Sequence, residues 1–505
     1  MNEERNLYIG KIKENFHIYG VAVFLYACLF AFCMYDNDAG ITYALYSVGT
    51  IALIMFFAKK LEFKLKRVSI FYITSIMLLS IATFCTDDDK IIFFNKCGVL
   101  LLTICFVLDI IYDTKKWTLG KYFNSILNVF LMSIGEIFNP FGDFLWYCKN
   151  KMSSKNSNVF YVVVGIVITI PLFVVVFAML SSADVVFRNF ADGIFEGFSL
   201  SAMISIGFRI GLMFVVTYSI MCYTAKKELI EEVSDKKNME PLIAIPMALI
   251  MTVLYLVFSV IQIVYLFMGN MELPDGYTYA EYAREGFFQL LAVSILNLII
   301  VLVCLCYFKP NKLFKGILAV MSICTFIMIA SSALRMIIYI QYYYLTFLRI
   351  LVLWSLVVLA LVFIGVMIYI FTDTFPLFRY SMVVVTCLYI VLAFAKPDYW
   401  IAKVNVEGSK ETRSVFFKGA VYNDFYLFEE LSADATPVII EWMEDKGSVI
   451  KGYYLKNIGY VRTNSDQCGY IHMKNALVDT EDMGIREFNV SRYRAKKMIM
   501  DKIED

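Results

Sequence analysis

The sequence predicts an all-α polytopic integral membrane protein of about 11 transmembrane helices, followed by a small, mainly helical C-terminal soluble domain. Three observations predict it. Apolar runs of spanning length recur from Phe16 to Ala395, the short loops between them alternate in charge sign, and the composition turns polar from Lys396 onward. A run of about 20 apolar residues is what crossing a hydrocarbon layer of roughly 30 Å requires. Composition agrees: 60% of residues are hydrophobic and 18% charged, against roughly 45–50% and 25% in soluble domains.

The apolar runs lie at roughly 16–35, 41–58, 68–85, 91–112, 158–180, 201–223, 245–268, 287–307, 316–340, 347–371 and 378–395. They divide the chain into a cytoplasmic N-terminus (1–15), four helices (16–112), a cytoplasmic or interfacial helical segment (113–157), a seven-helix core (158–395) and the C-terminal domain (396–505). Met1-Asn2-Glu3-Glu4-Arg5 is too acidic to open a signal peptide, so the first run is expected to stay as a span.

Loop charge sets the orientation, because cytoplasmic loops retain Lys and Arg. Arg5, Lys11 and Lys13 precede the first run, and Asp36-Asn37-Asp38 follows it. The next loop carries Lys59, Lys60, Lys64, Lys66 and Arg67, and the one after is acidic, Asp87-Asp88-Asp89-Lys90. Lys115, Lys116, Lys121, Lys149, Lys151 and Lys155 mark the 113–157 segment as inner. Loops at 224–244 and 308–315 are basic, whereas 181–200, 269–286 and 341–346 are not. The N-terminus is therefore expected in the cytoplasm. An odd number of crossings then places 396–505 outside.

Residues 117–148 are apolar but interrupted by Asn124, Asn128, Glu136 and Asn139-Pro140. An interfacial helix pair is expected there, since another crossing would break the charge alternation. In the C-terminal domain, Ser432-Ala433-Asp434 reads as the cap of an apolar run through Trp442. Ser491 reads as the start of a basic helix, and 447–472 could form a hairpin.

With this topology the unusual charges gather on the outer face. The candidate cluster is Asp184, Arg188, Arg209, Glu281, Arg284, Glu285, Arg335 and Arg349. Thr278 and Glu281 have capping-box spacing, which would put Glu281 and Glu285 on one helix face beside Arg284. Arg209 lies roughly 12 Å into its span, so an acidic partner such as Asp184 or Glu285 is expected. Structural locking of the spans competes with ligand binding as the reason for the cluster. Gln262 and Asn297 read as interhelical hydrogen bonds, and Tyr339, Tyr342, Tyr343 and Tyr344 as an interfacial belt.

No catalytic residue and no metal site is expected. The only histidines are His17 and His472, and the cysteines lie mostly in apolar runs, where they behave as small hydrophobes. No cofactor is implied, and a net charge of +1 gives no nucleic-acid footprint.

Several motifs resemble one widespread bacterial membrane family. They are the Ser182-Ala183-Asp184 loop with Phe187, the Tyr282-Ala283-Arg284 segment with Gly286-Phe287-Phe288, and Leu345-Thr346 with Arg349. The tail adds Leu431-Ser432-Ala433-Asp434-Ala435 with Pro437, and Phe488-Asn489 with Ser491-Arg492. That family is catalogued only as a domain of unknown function (the 4153/4173-like group), and the resemblance covers most of the chain from about residue 150. The resemblance implies a multi-pass protein of the bacterial plasma (inner) membrane, and it carries over no substrate, cofactor or catalytic residue. Three functions stay open. The first is an envelope-sensing or regulatory protein that meets an anionic lipid, an envelope ligand or a signalling partner. The others are a transporter and a membrane-embedded enzyme acting on an anionic envelope lipid, with a non-enzymatic role expected.

Overall fold

The computed structural model describes residues 2–37, 39–114, 117, 119–152, 200–226, 237, 239–264, 286–372, 374–411, 428–445, 465–478 and 483–504, with a few isolated residues between 169 and 184. It is helical, with no strand among the described residues. The helices are α1 (Asn2–Glu14), α2 (Phe16–Met34), α3 (Thr42–Lys60), α4 (Val68–Cys85), α5 (Asp89–Ile111), α6 (Leu119–Ser133), α7 (Asn139–Tyr147), α8 (Leu200–Ala225) and α9 (Pro241–Gln262). They continue as α10 (Phe287–Tyr307), α11 (Lys312–Tyr342), α12 (Phe347–Phe371), α13 (Leu377–Phe394), α14 (Pro397–Glu411), α15 (Thr436–Asp445), α16 (Ser465–Val478) and α17 (Val490–Glu504).

Among the described residues, ten helices, α2–α5 and α8–α13, are long and apolar enough to cross a membrane. The remaining expected span, 158–180, lies largely outside the described residues. Local chemistry explains where helices start. Pro241 opens α9, where its missing N–H is no loss. The Asn311 side chain accepts from the amides of Leu313 (2.8 Å) and Phe314 (3.3 Å) to cap α11.

The chain divides into two units, and the cut passes through α4 and α5. In the first unit α2 packs on α3 and α8, around Tyr19, Val23, Tyr218 and Met221. Here 117–148 forms two short helices, α6 and α7, joined by a 3-10 turn at Ile134–Glu136. Neither has spanning length. The polar residues that interrupt this run tie it to neighbours. Glu136 pairs with Lys226, its carbonyl accepts from Ser219 (3.2 Å), and Asp143 accepts from Tyr218 (3.1 Å).

In the second unit α11 lies at the centre, against α9, α10 and α12. Its core includes Tyr255, Val301, Leu318, Met321, Val366 and Ile370. The α12–α13 pair is a tight antiparallel hairpin. Tyr380 donates to the Leu361 carbonyl (2.9 Å), and Trp354 donates to that of Leu388 (3.1 Å). Gly365 permits this approach, since a Cβ there would lie 2.5 Å from the Tyr380 ring. Asn297 donates to Thr325 (3.1 Å), and Ser331 donates to Gln262 (2.5 Å), so both amides bond between helices.

The C-terminal helices have their own core of Ile401, Phe428, Ile439, Trp442, Met443, Met473, Ala495 and Ile499. About 110 residues suffice for such a core. The hairpin expectation is corrected in part: residues 465–472 begin α16, and 447–464 lie outside the described residues. This domain touches the bundle at two loops. The amide and carbonyl of Leu345 bond the Asn405 side chain at 2.7 and 2.9 Å, and the loop between α4 and α5 meets the domain through charged groups.

Candidate functional site

The densest polar assembly described lies where the α4–α5 loop (86–90) meets the C-terminal domain. Its centre is Asp434, whose side chain is fully buried. Its Oδ1 accepts from Lys396 Nζ (2.6 Å) and from Ser491 Oγ. Its Oδ2 accepts from Thr86 Oγ1 (2.5 Å) and the Asp87 amide (3.1 Å). Asp434 is thus no helix cap, which corrects the expectation, and Ser432 makes no side-chain cap either. A buried carboxylate needs donors on both oxygens, and four converge here from loop, linker and last helix.

Asp87 is the second anchor. Its Oδ1 is paired with Arg492 Nε, and its Oδ2 accepts from the Ala433 amide (3.1 Å). Burial raises its pKa, partly opposed by Arg492. Asn489 works in two directions. Its Oδ1 caps α17 through the amides of Ser491 (2.9 Å) and Arg492 (3.2 Å), while its Nδ2 donates to the Thr86 carbonyl (2.7 Å). The cap of α17 is therefore Asn489, not Ser491. Lys396 holds φ at +54°, a left-handed conformation that costs a β-carbon-bearing residue about 1–2 kcal/mol. It turns the chain off α13 as its ammonium reaches Asp434.

Two further carboxylates complete the seam. Asp88 Oδ1 accepts from the Lys90 amide (2.9 Å), and Asp398 Oδ2 accepts from the Ser432 amide (2.8 Å). Both residues are 2% exposed. Asp88 Oδ2 and Asp398 Oδ1 are buried without a hydrogen-bond partner.

The outer charges expected from sequence separate into two groups. In the first unit Arg209 Nη1 donates to the Met34 carbonyl (3.0 Å), and the guanidinium stands 5.2 Å over the Tyr35 ring. Among the described residues its partner is thus a backbone carbonyl, and Glu281 and Glu285, two of the expected acids, lie outside them. The Met34 carbonyl ends α2, at the negative end of its helix dipole, which favours a cation. Asp184 is exposed, with its amide bonded to the Leu180 carbonyl (3.1 Å). In the second unit Arg335 is buried and donates to Gln262 (3.3 Å), beside Gly286. Arg349 lies over Tyr339 (4.4 Å) and Tyr343 (6.0 Å), so those two rings, expected in an interfacial belt, hold a cation. Arg188, Glu281, Arg284, Glu285 and the Thr278 capping box lie outside the described residues.

The loop-to-tail seam was missed as a site from sequence alone. Asp87 and Asp88 read there as loop charge, and Asp434 and Arg492 as family motif, with nothing to join them. Among the described residues no group of three or more His, Cys, Asp or Glu side chains is placed to hold a metal ion.

Apolar helices of spanning length in this number define a multi-pass membrane protein. Residues 73–442 match the family described as Domain of unknown function (DUF4153), and the chain belongs to that family. The match starts inside α4, so it takes in the 86–90 loop ahead of the motifs that carry the resemblance. It ends at Trp442, before Asn489 and Arg492. No curated protein and no solved structure matches the chain.

Proposed function

We propose that the chain is a sensory or regulatory protein of a bacterial plasma membrane, with its N-terminus in the cytoplasm. Its C-terminal domain stands on the outer face, docked to the bundle, and meets an envelope ligand or partner protein there. The observation that carries this reading is the seam: Asp434, Asp87, Lys396, Arg492, Ser491 and Thr86 join a small polar domain to one loop of the bundle. The ion pairs, each of a buried carboxylate with a partly exposed cation, contribute little net stability, and they give the domain one particular seat on the bundle. Transport or catalysis needs no such fastening, whereas a domain that reports its state to a bundle does. Arg349 is the ligand contact this reading favours. Its Nη1 is buried without an acceptor, and a guanidinium pairs with carboxylate or phosphate through two parallel bonds.

The test is a charge swap in cells that carry the gene. Arg492→Asp should open the seam and change the transcript profile, and adding Asp87→Arg should return it toward wild type. A seam-opened variant that is inserted, folded and transcriptionally identical to wild type would overturn the regulatory reading.

A further inference from the structure

We propose that Asp88 and Asp398 form a proton-binding carboxyl pair, and that the bound proton strengthens the docking of the C-terminal domain on the bundle. The pair goes beyond the regulatory reading and holds whatever the docked domain binds.

The geometry is that of a seam with more buried acid than paired base. Asp87, Asp88, Asp398 and Asp434 are all at most 9% exposed. Lys396 pairs with Asp434 and Arg492 with Asp87. Among the described residues the further cation nearby is Lys90, which is exposed, with its ammonium 5.0 Å over the Phe347 ring. Main-chain amides bond Asp88 Oδ1 and Asp398 Oδ2, and the Ser432 hydroxyl lies close to Asp398, while Asp88 Oδ2 and Asp398 Oδ1 are buried without a hydrogen-bond partner. A buried carboxylate oxygen without a donor is unfavourable, and a proton taken from solvent supplies the missing donor. Bound to one orphan oxygen, it turns that carboxylate into a neutral acid and removes the cost of a buried charge.

The groups facing the pair come from each surrounding element. The loop contributes Asp87 and Lys90, α13 contributes Tyr389, the 433–435 turn contributes Asp434 with its partner Lys396, and α17 contributes Arg492. Burial first, and then the charge of Asp398, push the Asp88 carboxyl up to about 6, against the opposing pull of Lys90. Burial raises Asp398 as well.

The sign follows from linkage. An undocked, solvated Asp titrates near 4, so between pH 4 and 6 the docked form binds more protons than the undocked one. Docking therefore strengthens as pH falls through that window and weakens as pH rises. His472, in contact with Phe428 and Thr436 inside the domain, keeps its surroundings on undocking and drops out of this equilibrium.

Hydrogen exchange of the full-length protein in detergent tests the pair. After correction for chemical exchange, the peptides spanning 84–92 and 430–436 should open about tenfold less often at pH 5 than at pH 7.5. Asp88→Asn keeps the shape, supplies a donor without titrating, and should be protected equally at both pH values. Asp398→Asn should do the same, and the double variant should add nothing. A flat wild-type profile, or a pH step that survives in Asp88→Asn, would overturn the proposal. So would protection at pH 7.5 that rises to the pH 5 level with 5 mM Ca2+, because the pair would then be a cation site.

Discussion

Arg492, on the last helix, forms an ion pair with Asp87, 405 residues earlier in the chain, in the loop between α4 and α5. The two side chains are 30% and 8% exposed, so the pair lies between the surface and buried regimes. Arg492→Ala should destabilise the docked domain by about 1–3 kcal/mol, above the value of an exposed pair and below that of a fully buried one. Thermal unfolding in detergent measures this, and an unchanged midpoint would show that the pair contributes nothing.

Sidedness follows from the loops that the domain touches. Cysteines placed at Asp36 and Ile485, both exposed, should label with an impermeant maleimide in intact cells whose native cysteines have been replaced. Cysteines at Lys64 and Lys312 should label only after lysis. Labelling of position 485 only after lysis would move the domain, and the 86–90 loop with it, to the cytoplasmic face.

His472 makes the interior of the domain acid-sensitive. Its two ring nitrogens bond Thr436 Oγ1 (3.0 Å) and the Phe428 carbonyl (3.1 Å), and burial lowers its pKa to about 4. A base whose folded pKa lies below its unfolded value near 6.5 contributes fully above that pH and loses its contribution as pH falls toward 4. The loss reaches about 3 kcal/mol at most. Thermal scans between pH 7 and 4 should show a midpoint drop that His472→Gln flattens, opposite in sign to the effect of Asp88.

Gly286 is irreplaceable on two counts. It precedes α10 at φ +107°, and a Cβ there would lie 2.7 Å from Arg335 Nη1. Gly286→Ala should cost about 1–3 kcal/mol from backbone strain alone, seen as a lower yield of folded protein. A variant as stable as wild type would mean that the turn relaxes freely.

Arg335 and Arg349 should behave differently. Arg335 is buried against Gln262, so Arg335→Ala should lower stability. Arg349, half-buried over its tyrosines, should instead lose a co-purifying anionic lipid in native mass spectra with a nearly unchanged unfolding midpoint. A wild-type spectrum free of lipid would remove Arg349 as a ligand contact.

The membrane helices were legible because span length and loop charge are local signals, and ten of the runs expected from 16 to 395 became spanning helices. The interhelical roles of Gln262 and Asn297 were legible too, since a polar side chain in an apolar run has few alternatives. The seam was not. Thr86, Asp87 and Asp88 look like any acidic loop until the fold brings Asp434 and Arg492 to them, and no periodicity records a pairing across more than 340 residues. The carbonyl that Arg209 meets was not legible for a related reason, because a sequence shows where carboxylates are but not where a helix leaves its last carbonyls.

The order of synthesis gives the Asp87–Arg492 contact a temporal meaning. Translation delivers the loop early, and Asp87, Asp88 and the Thr86 carbonyl wait through six further described spans before Asn489 and Arg492 emerge. Contacts closing so long a loop form late. Until then the 86–90 loop lacks its partners from the tail, so a chain that stops short of residue 489 leaves Asp87 without Arg492 and the Thr86 carbonyl without Asn489.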